Sequence, residues 1–285
     1  MQVTFNGVSA DYNYGPIRSP LVLQSVDLNV TSGAFTAVVG HTGSGKSSLL
    51  KAMNGLLVPT EGVVTVGETE IKPGKNKKAL KEVRKKVGMV FQFPESQLFA
   101  ETVEQDICFG PINFGVSLEE AKKIANHVIS QVGLDVSILE KSPFSLSGGQ
   151  KRRVAIAGIL AMQPDVLVLD EPGAGLDPKG KREILSLISQ WHKTRSLTTI
   201  LVTHDMDDVA LYADDVIVME KGRVVLHEEI REFFNDEEKL ARLHLEVPEA
   251  RSFQLTLEHE LGIKLSRVCL TVEELADALI EVGLA

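Results

Sequence analysis

Four short apolar runs along the chain predict strands that are buried on both faces. They span residues 35–39, 87–91, 166–169 and 198–202. None of them alternates between apolar and polar positions, as a strand with one face in solvent would. Such runs are typical of a parallel sheet covered by helices, so the pattern predicts an α/β fold.

Helical and turn signals separate these runs. Ser117, followed by Glu119 and Glu120, is a helix-start signal. The pair Lys221-Gly222 between two apolar segments predicts a hairpin turn. The remaining predictions are short strands over 2–39, helices over 46–56, 117–131 and 179–193, hairpins over 62–71 and 216–225, and two or three helices in the tail, the last near 272–282.

The charge distribution predicts two units. The 285 residues have a net charge of −9, and residues 228–285, with 14 acidic and 6 basic side chains, carry −8 of it. We therefore predict a large domain over 1–227 and a small acidic domain over 228–285. The negative charge argues against a nucleic-acid partner.

Composition and cysteine spacing favour a soluble protein with reduced thiols. No apolar run approaches the roughly 20 residues that span a bilayer, and the first residues lack the features of a signal peptide. Cys108 and Cys269 lie far apart and follow no metal-ligand spacing. They are expected to be free thiols.

A glycine-rich segment follows the first apolar run and matches the phosphate-binding pattern G-x-x-x-x-G-K-[ST]. Its backbone N–H groups would cradle phosphates, and the following helix adds the positive end of its dipole. Lys46 would then bridge the β- and γ-phosphates, and Ser47 would hold Mg²⁺. The predicted nucleotide-binding residues are Gly40, His41, Thr42, Gly43, Ser44, Gly45, Lys46, Ser47 and Ser48.

Polar residues follow the other three apolar runs. Asp170 and Glu171 end one, His204 follows another and Gln92 follows the third. Because the carboxyl ends of parallel strands meet at the edge where ligands bind, these side chains should lie beside the phosphate loop. Asp170 is the predicted acid on the Mg²⁺ side, and Glu171 can polarise water near the γ-phosphate. Each residue alone has a common structural explanation, whereas the set does not.

The pentapeptide Leu146-Ser147-Gly148-Gly149-Gln150 lies between the phosphate loop and the Asp-Glu strand. Its glycines let the backbone approach an anion, and the Ser147 hydroxyl and the following helix start supply donors. We therefore predict that Ser147, Gly148, Gly149 and Gln150 cap a nucleotide held by a second subunit.

This ordered set of motifs over residues 1–227 resembles the ATPase subunits of ABC transporters. The resemblance implies an α/β P-loop NTPase fold of the ABC type, with a RecA-like core, an antiparallel β subdomain and an α-helical subdomain over about 92–162. A small helical domain follows. The ligands implied are ATP and Mg²⁺, and the reaction is hydrolysis of ATP coupled to transport. Two subunits pair head to tail, and each ATP lies between the phosphate loop of one and the Leu-Ser-Gly-Gly-Gln of the other.

The same resemblance assigns a role to each motif residue. Tyr12 stacks on adenine, with Tyr14 as the alternative, and Asp177 crosses the dimer interface. Glu171 is the catalytic base and His204 is the switch histidine. The implied catalytic set is Glu171, His204, Gln92 and Lys46, and the implied Mg²⁺ ligands are Ser47, Gln92 and Asp170.

A narrower resemblance is carried by three segments, residues 40–46, 91–99 and 260–267. They are similar to the ATPases of energy-coupling factor (ECF) transporters, which import vitamins and metal ions, and specifically to the second, A-prime paralogue. This implies a second ATPase as partner, a paralogue in a heterodimer or a copy in a homodimer. It also implies a transmembrane coupling subunit, a substrate-binding membrane subunit and a place on the cytoplasmic face of the cell membrane. The tail would help the ATPases to pair.

Two positions depart from the usual ABC pattern. Gly173 stands where Thr or Ser usually follows Asp-Glu-Pro, and Ser48 replaces the usual Thr. We expect Gly173 to loosen the turn before Asp177 and Ser48 to have little effect. Because neither change removes a catalytic group, hydrolysis is still predicted.

The sequence leaves alternatives open for the role of residues 95–99 and for the function of the protein. Leu98 and Phe99, with Glu95 as a polar rim, either receive a helix of the membrane subunit or belong to the core. The alternative functions are the ATPase of a cobalt or nickel ABC importer and, with much less support, a soluble ABC-type ATPase acting on DNA. The DNA-acting relatives split their ATPase halves with long coiled coils, and no heptad run is present here.

Overall fold

The computed structural model describes residues 1–12, 21–74 and 76–284, so Tyr14 lies outside the described residues. The strands are β1 Val3–Ala10, β2 Leu23–Val30, β3 Phe35–Val39, β4 Glu61–Val66, β5 Thr69–Ile71, β6 Val87–Val90, β7 Val166–Asp170, β8 Thr198–Val202, β9 Asp215–Glu220 and β10 Arg223–Glu229. The α-helices are α1 Lys46–Met53, α2 Lys77–Lys86, α3 Val103–Asn113, α4 Leu118–Gln131, α5 Gly148–Leu160, α6 Pro178–Arg195, α7 Met206–Tyr212, α8 Ile230–Asn235, α9 Glu237–Arg242, α10 Glu249–Leu261 and α11 Val272–Glu281.

The strands form two sheets. A four-stranded antiparallel sheet has the order β2-β1-β4-β5, and a six-stranded sheet has the order β10-β9-β3-β8-β7-β6. In the larger sheet β9, β3, β8, β7 and β6 are parallel, and β10 pairs with β9 in the antiparallel direction. The predicted α/β fold with a parallel sheet is therefore confirmed.

Both faces of the parallel sheet are buried, which explains the continuous apolar runs. Alternate residues of a strand point to opposite faces. Leu167 and Leu169 accordingly belong to a core cluster that includes α3, α4 and α5, whereas Val166 and Val168 belong to a second cluster with α1 and the antiparallel sheet. A polar residue within either set would lose its hydration, so the runs stay apolar.

The register aligns the carboxyl ends of four strands at one edge. Asp170 at the end of β7 lies opposite Val202 of β8, and Val202 lies opposite Val38 of β3. On the other side of β7, Val90 of β6 lies opposite Leu169. The segments that follow these strands therefore start side by side.

Several local signals act as the sequence predicts. The Ser117 hydroxyl accepts a hydrogen bond from the Glu120 amide, 3.3 Å, and α4 begins at the next residue. Lys221 and Gly222 both have positive φ, 47° and 79°, as the tight turn between β9 and β10 requires. Helix α1 ends at Met53, three residues earlier than predicted, where Asn54 caps it.

Over the described residues 228–284 the tail contains four helices, α8 to α11, rather than the two or three predicted. Helices α8 and α9 have six residues each and are separated by Asp236 alone. The Asp236 carboxylate accepts a hydrogen bond from the Lys239 amide, 2.9 Å, and so starts α9 where α8 stops. Helices this short show too little periodicity to be separated from sequence.

The two halves of the tail pack differently. Phe233 and Phe234 of α8 are fully buried in the cluster that covers the parallel sheet. Helices α10 and α11 enclose a small cluster of their own, which contains Leu265, Cys269, Leu275 and Ala278. The division at residue 228 falls within β10, and as a domain boundary it stays a prediction.

Gln254 connects α10 to the segment before α11. Its side chain is 1% exposed; Nε2 donates to the Arg267 carbonyl oxygen, 2.8 Å, and Oε1 accepts from the Cys269 amide, 2.8 Å.

Within the described residues, no helix is long and apolar enough to cross a bilayer.

We predict that Gln254→Ala destabilises the α10–α11 unit, because it removes the partner of the buried Cys269 amide and a hydrogen bond to the part-buried Arg267 carbonyl oxygen. The expected loss is about 1–3 kcal/mol of the free energy of unfolding. Urea denaturation measures it, and hydrogen exchange should show faster exchange over residues 263–282. Thr256→Ala, an exposed change on the same helix, is the control. Equal stability of the two variants would contradict the prediction.

Candidate nucleotide site

The loop between β3 and α1 has a backbone that only glycine tolerates at key points. Gly40 has a φ of 138°, and a Cβ there would collide with the carbonyl oxygen of Met219. Gly45 has a φ of 106°, and a Cβ there would lie 2.9 Å from the carbonyl oxygen of Val22. The glycines of the phosphate-binding pattern are therefore required by the fold itself.

The hairpin turn between β9 and β10 supports this loop. The Gly222 amide donates to the Ser44 carbonyl oxygen, 2.8 Å, and the Gln24 amide donates to the Gly222 carbonyl oxygen, 2.8 Å. The loop is thus fixed between both sheets. Sequence analysis placed Lys221 and Gly222 only in a turn, since nothing local indicates which loop the turn will contact.

Lys46, the first residue of α1, points back over the loop. Its Nζ donates to the carbonyl oxygens of Gly40, 2.5 Å, and His41, 2.9 Å. Burial lowers the pKa of Lys46, and the carboxylates of Glu171 and Asp170 oppose this lowering. The ammonium group therefore lies between backbone oxygens and acids, where a phosphate group would be a strong partner.

Ser47 and Asp170 meet across the site. The Ser47 hydroxyl donates to Asp170 Oδ1, 3.0 Å. Burial raises the pKa of Asp170, and the Ser47 hydrogen bond opposes the rise. A hydroxyl and a carboxylate are the hard oxygen ligands that Mg²⁺ prefers, and Mg²⁺ usually takes its other ligands from phosphates and water. No cluster of three His, Cys, Asp or Glu that could hold a metal occurs in the described part of the chain.

Two other residues that follow strands, Gln92 and His204, lie next to Glu171. Gln92 Nε2 donates to Glu171 Oε2, 3.0 Å, and His204 Nδ1 lies 3.6 Å from Glu171 Oε1. Glu171 has a φ of 48°, and its amide donates to the Val202 carbonyl oxygen, 3.1 Å. A left-handed conformation in a residue other than glycine is sparsely populated, and such residues concentrate at functional sites.

A cavity of about 660 Å³ lies between the phosphate loop and these strand ends, and His204 is not among the residues that line it. The structure thus brings together residues separated by more than 100 positions in sequence. Residues that sequence analysis missed, including Val22, Gln24 and Lys221, complete its wall. The predicted site residues that line it are Thr42, Gly43, Gly45, Lys46, Ser47, Ser48, Gln92, Asp170 and Glu171.

Other predicted residues lie outside this lining. Asp177 caps the start of α6, where its carboxylate accepts from the Gly180 amide, 2.9 Å. The Tyr12 hydroxyl lies 3.2 Å from Ser48 Oγ and accepts from Lys51 Nζ, 3.3 Å, and Lys51 also lies over the Tyr12 ring. Ser48 thus has a tyrosine partner, which could not be predicted from the difference between Ser48 and the usual Thr. His41, also outside the lining, lies 5.8 Å from His244 between ring centroids.

In the pentapeptide 146–150, called the signature segment below, Ser147, Gly148 and Gly149 are exposed, and α5 starts at Gly148. Ser147 and Gln150 form a capping box: Ser147 Oγ accepts from the Gln150 amide, 3.3 Å, and Gln150 Oε1 accepts from the Ser147 amide, 3.1 Å. Gly148 and Gly149 have nothing within 4 Å of an added Cβ. Among the described residues that line the cavity, none comes from this segment. Its donors therefore lie outside the cavity of their own chain.

Arg152, one turn into α5, connects three segments around the site. Its guanidinium forms two hydrogen bonds with Glu95, 2.9 and 3.0 Å, and donates to the carbonyl oxygens of Pro172, 3.3 Å, and Ala174, 2.8 Å. The Arg152 side chain is 3% exposed. Burial alone would raise the pKa of Glu95, but the hydrogen bond and charge of Arg152 keep it below its usual value. Glu95 is thus paired within its own chain, and its role as a polar rim for a partner stays a prediction.

Comparison with known proteins identifies the class of this site. The family model described as "ABC transporter" matches residues 23–174. In the Clostridium perfringens structure of cbiO1, part of the ABC transporter complex cbiONQ, the TM-score is 0.72 at 35% identity, over 92% of this chain and 98% of that one. The dimeric cassette MJ0796 bound to ADP and Pi has a TM-score of 0.70 at 30% identity, over 80% of this chain and 99% of that one. The fold and site are those of an ABC-type nucleotide-binding domain.

Full-length relatives narrow the class further. A Geobacillus kaustophilus protein named "Energy-coupling factor transporter ATP-binding protein EcfA2" is 54% identical over 282 residues, 98% of this chain and 96% of its own length. A Listeria welshimeri protein of the same name is 55% identical over 253 residues, 89% and 88% of the two chains. The chain belongs to this family of energy-coupling factor transporter ATP-binding proteins, as its motifs predicted.

We predict that Arg152→Ala destabilises the protein by about 2–4 kcal/mol, because it leaves Glu95 and two backbone oxygens without their buried cation. Thermal and urea denaturation of the purified chain measure the loss. Lys151→Ala, at the neighbouring position, is the control and should change stability by less than about 0.5 kcal/mol. If both variants unfold at the same urea concentration, the connection through Arg152 is not important for stability.

Proposed function

We propose that this chain is the ATP-binding and ATP-hydrolysing subunit of an ECF transporter and powers uptake of a micronutrient through membrane partners. The observation that carries the proposal is the arrangement of Lys46, Ser47, Asp170, Glu171 and Gln92 around one cavity. Each residue type suits one part of phosphoryl transfer to water. Family membership supports the same conclusion.

Binding would use the prebuilt phosphate loop. Its backbone amides and the α1 N-terminus face the phosphates, and Lys46 exchanges its hydrogen bonds with backbone oxygens for bonds to the β- and γ-phosphates. Ser47 and Asp170 would hold Mg²⁺, which neutralises phosphate charge when it is bound. Tyr12 would stack on the adenine base of the nucleotide, since its side chain lies beside α1.

Hydrolysis would use Glu171 as the base. Its carboxylate lies next to Gln92 and His204, and it would take a proton from the water that attacks the γ-phosphate. His204 is 80% exposed as a side chain, so it is free to donate to a phosphate oxygen when a nucleotide is present. The reaction needs little covalent chemistry from the protein, and positioning supplies most of the effect.

A second ATPase subunit would complete the site. The Ser147 hydroxyl and the amides of the α5 start are exposed and lie outside the cavity of their own chain. A phosphate group of a nucleotide on a second subunit is the partner that these donors fit. Asp177 at the start of α6 would lie in the same interface. The tail would help the two subunits to pair.

A membrane subunit would dock beside Gln92. Phe99 and Phe109 are 60% and 52% exposed, and their rings pack edge to face at 4.9 Å. Phe109, Ile112 and Leu118 line an adjoining groove of about 510 Å³. Leu98 is half-buried against the core and Glu95 is occupied by Arg152, so the aromatic pair is the apolar anchor for a helix of the membrane subunit.

The ECF assignment and a cobalt or nickel importer share this chemistry. The relatives named EcfA2 are 49–55% identical to the chain, whereas the cbiO1 structure is 35% identical. This difference favours the ECF assignment, with a paralogue as the second ATPase and a homodimer as the alternative. The chain would act on the cytoplasmic face of the cell membrane. A DNA-acting ATPase has no specific observation in its favour.

We predict that Glu171→Gln retains ATP binding and loses about 100-fold or more in turnover, because the amide cannot accept the proton of the attacking water. Lys46→Ala should instead weaken MgATP binding about 10-fold or more, because a charge-assisted contact is lost. Calorimetry and phosphate release separate the two effects, and Glu68→Gln, an exposed change in a turn, is the control. Normal turnover by Glu171→Gln would remove Glu171 from the role of base.

We predict that Phe99→Ala combined with Phe109→Ala releases the membrane subunit, while ATP binding stays within about two-fold of wild type because the groove is separate from the cavity. Mass spectrometry of the intact complex in mild detergent measures this and also counts the kinds of ATPase present. Leu56→Ala, 48% exposed elsewhere, is the control. Unchanged co-purification would rule out the aromatic anchor, and a single kind of ATPase would favour the homodimer.

A further inference from the structure

The loop that carries His204 is held by a lysine from another helix. Lys181, in the first turns of α6, forms ion pairs with Asp205 and with Asp208, whose Oδ2 lies 2.6 Å from Lys181 Nζ. Its side chain is 25% exposed, and that of Asp208 is 12% exposed. Lys181 is not among the residues that line the nucleotide cavity.

Both residues that flank His204 belong to this arrangement. The Asp205 amide donates to Thr203 Oγ1, 3.1 Å, and Asp205 Oδ1 accepts from the amides of Asp207, 2.9 Å, and Asp208, 3.2 Å. Asp205 therefore caps α7 with one oxygen and binds Lys181 with the other. The exposed His204 side chain depends for its position on the loop, because little packs against the ring itself.

The charge of Lys181 is needed to keep two carboxylates together. Burial alone would lower the pKa of Lys181, but its hydrogen bonds to Asp205 and Asp208 outweigh burial and raise it. The lysine stays charged and compensates the aspartates on either side of its ammonium group. Without it, two carboxylates would repel each other, and the more buried one, Asp208, would lack its cation.

Gly173 explains why the lysine can reach this loop. A Cβ at position 173 would lie 2.6 Å from Lys181 Cγ, so any larger residue would push the stem of the lysine aside. The unusual glycine after Asp-Glu-Pro therefore makes room for Lys181. The segment from Gly173 to Asp177 leads directly into α6, so it is tied through Lys181 to the loop of His204.

We propose that Lys181 is a positioning residue for His204 and transmits the position of segment 173–177 to the histidine. The inference rests on the proposed function, in which that segment lies at the interface with a second ATPase subunit. Lys181 would then set His204 in place when the subunits close and would not itself touch the nucleotide.

The test is a double-mutant cycle in the intact transporter, purified with its partner subunits. Lys181→Ala should lower kcat about 10–100-fold, as misplacement of a catalytic group does, and change KM for ATP less than about three-fold. In a His204→Ala background the same change should alter kcat less than about two-fold, because the group it positions is already absent. Lys181→Arg should restore most of the activity, since a guanidinium can pair with both carboxylates.

A second arm tests the role of Gly173 without removing the lysine. Gly173→Ala should lower kcat in the same direction, because the added Cβ displaces the Lys181 stem. In a Lys181→Ala background it should have no further effect, because the nearest atom of position 181 would then be its Cβ, 3.5 Å away, an ordinary contact. Lys179→Ala, exposed on the same helix, should leave kcat unchanged.

The outcomes separate the inference from the proposed function. Unchanged kcat in Lys181→Ala, or a loss of equal size with and without His204, would overturn the positioning role while wild-type hydrolysis upholds the proposed function. Absence of ATP hydrolysis by the wild-type assembly would overturn both. If Lys181→Ala does not fold, the Gly173→Ala arm decides: wild-type kcat there would overturn the inference, and a kcat that Gly173→Ala lowers in the wild type but not in the His204→Ala background would support it.

Discussion

The parallel alignment of β3, β6, β7 and β8 is the constraint on which the rest of this structure depends. Parallel strands place all their carboxyl ends at one edge, so a residue that follows any of them is delivered to the same place. That edge therefore receives residues from distant parts of the sequence, namely Lys46, Gln92, Glu171 and His204. The helices that follow the strands need not contact one another for this to happen. Reversal of a single strand would send its terminal residue to the opposite edge.

Arg152 imposes a second constraint at the far side of the site. A buried guanidinium must have all its donors paired, and here the partners come from the segment after β6 and the segment after β7. The helix that begins with the signature residues therefore cannot shift without disturbing both segments. Glu95 in the segment after β6 and the helix that Ser147 starts are thus linked through one side chain.

Sequence was sufficient where a signal is local. The buried strands, the Ser117 cap and the phosphate loop were predictable because periodicity or a short motif specifies each of them. The site edge followed from the parallel sheet. The partner of Glu95 could not be predicted, because Arg152 lies 57 positions away and a surface role explains a lone glutamate equally well. The same holds for Lys221 and Gly222, whose contact with Ser44 depends on how the two sheets pack. The short helices α8 and α9 lack enough turns to show a period.

Residues of both sheets contact the phosphate loop in the absence of a ligand. The carbonyl oxygens of Val22 and Met219 lie so near the loop that a side chain at Gly45 or Gly40 would collide with them, and the hairpin at Gly222 contacts the loop from the side. The loop is thus ordered before an anion binds, so binding loses little conformational entropy in the loop. Because the fold itself sets the shape of the loop, an anion meets the same cradle when it enters and when it leaves.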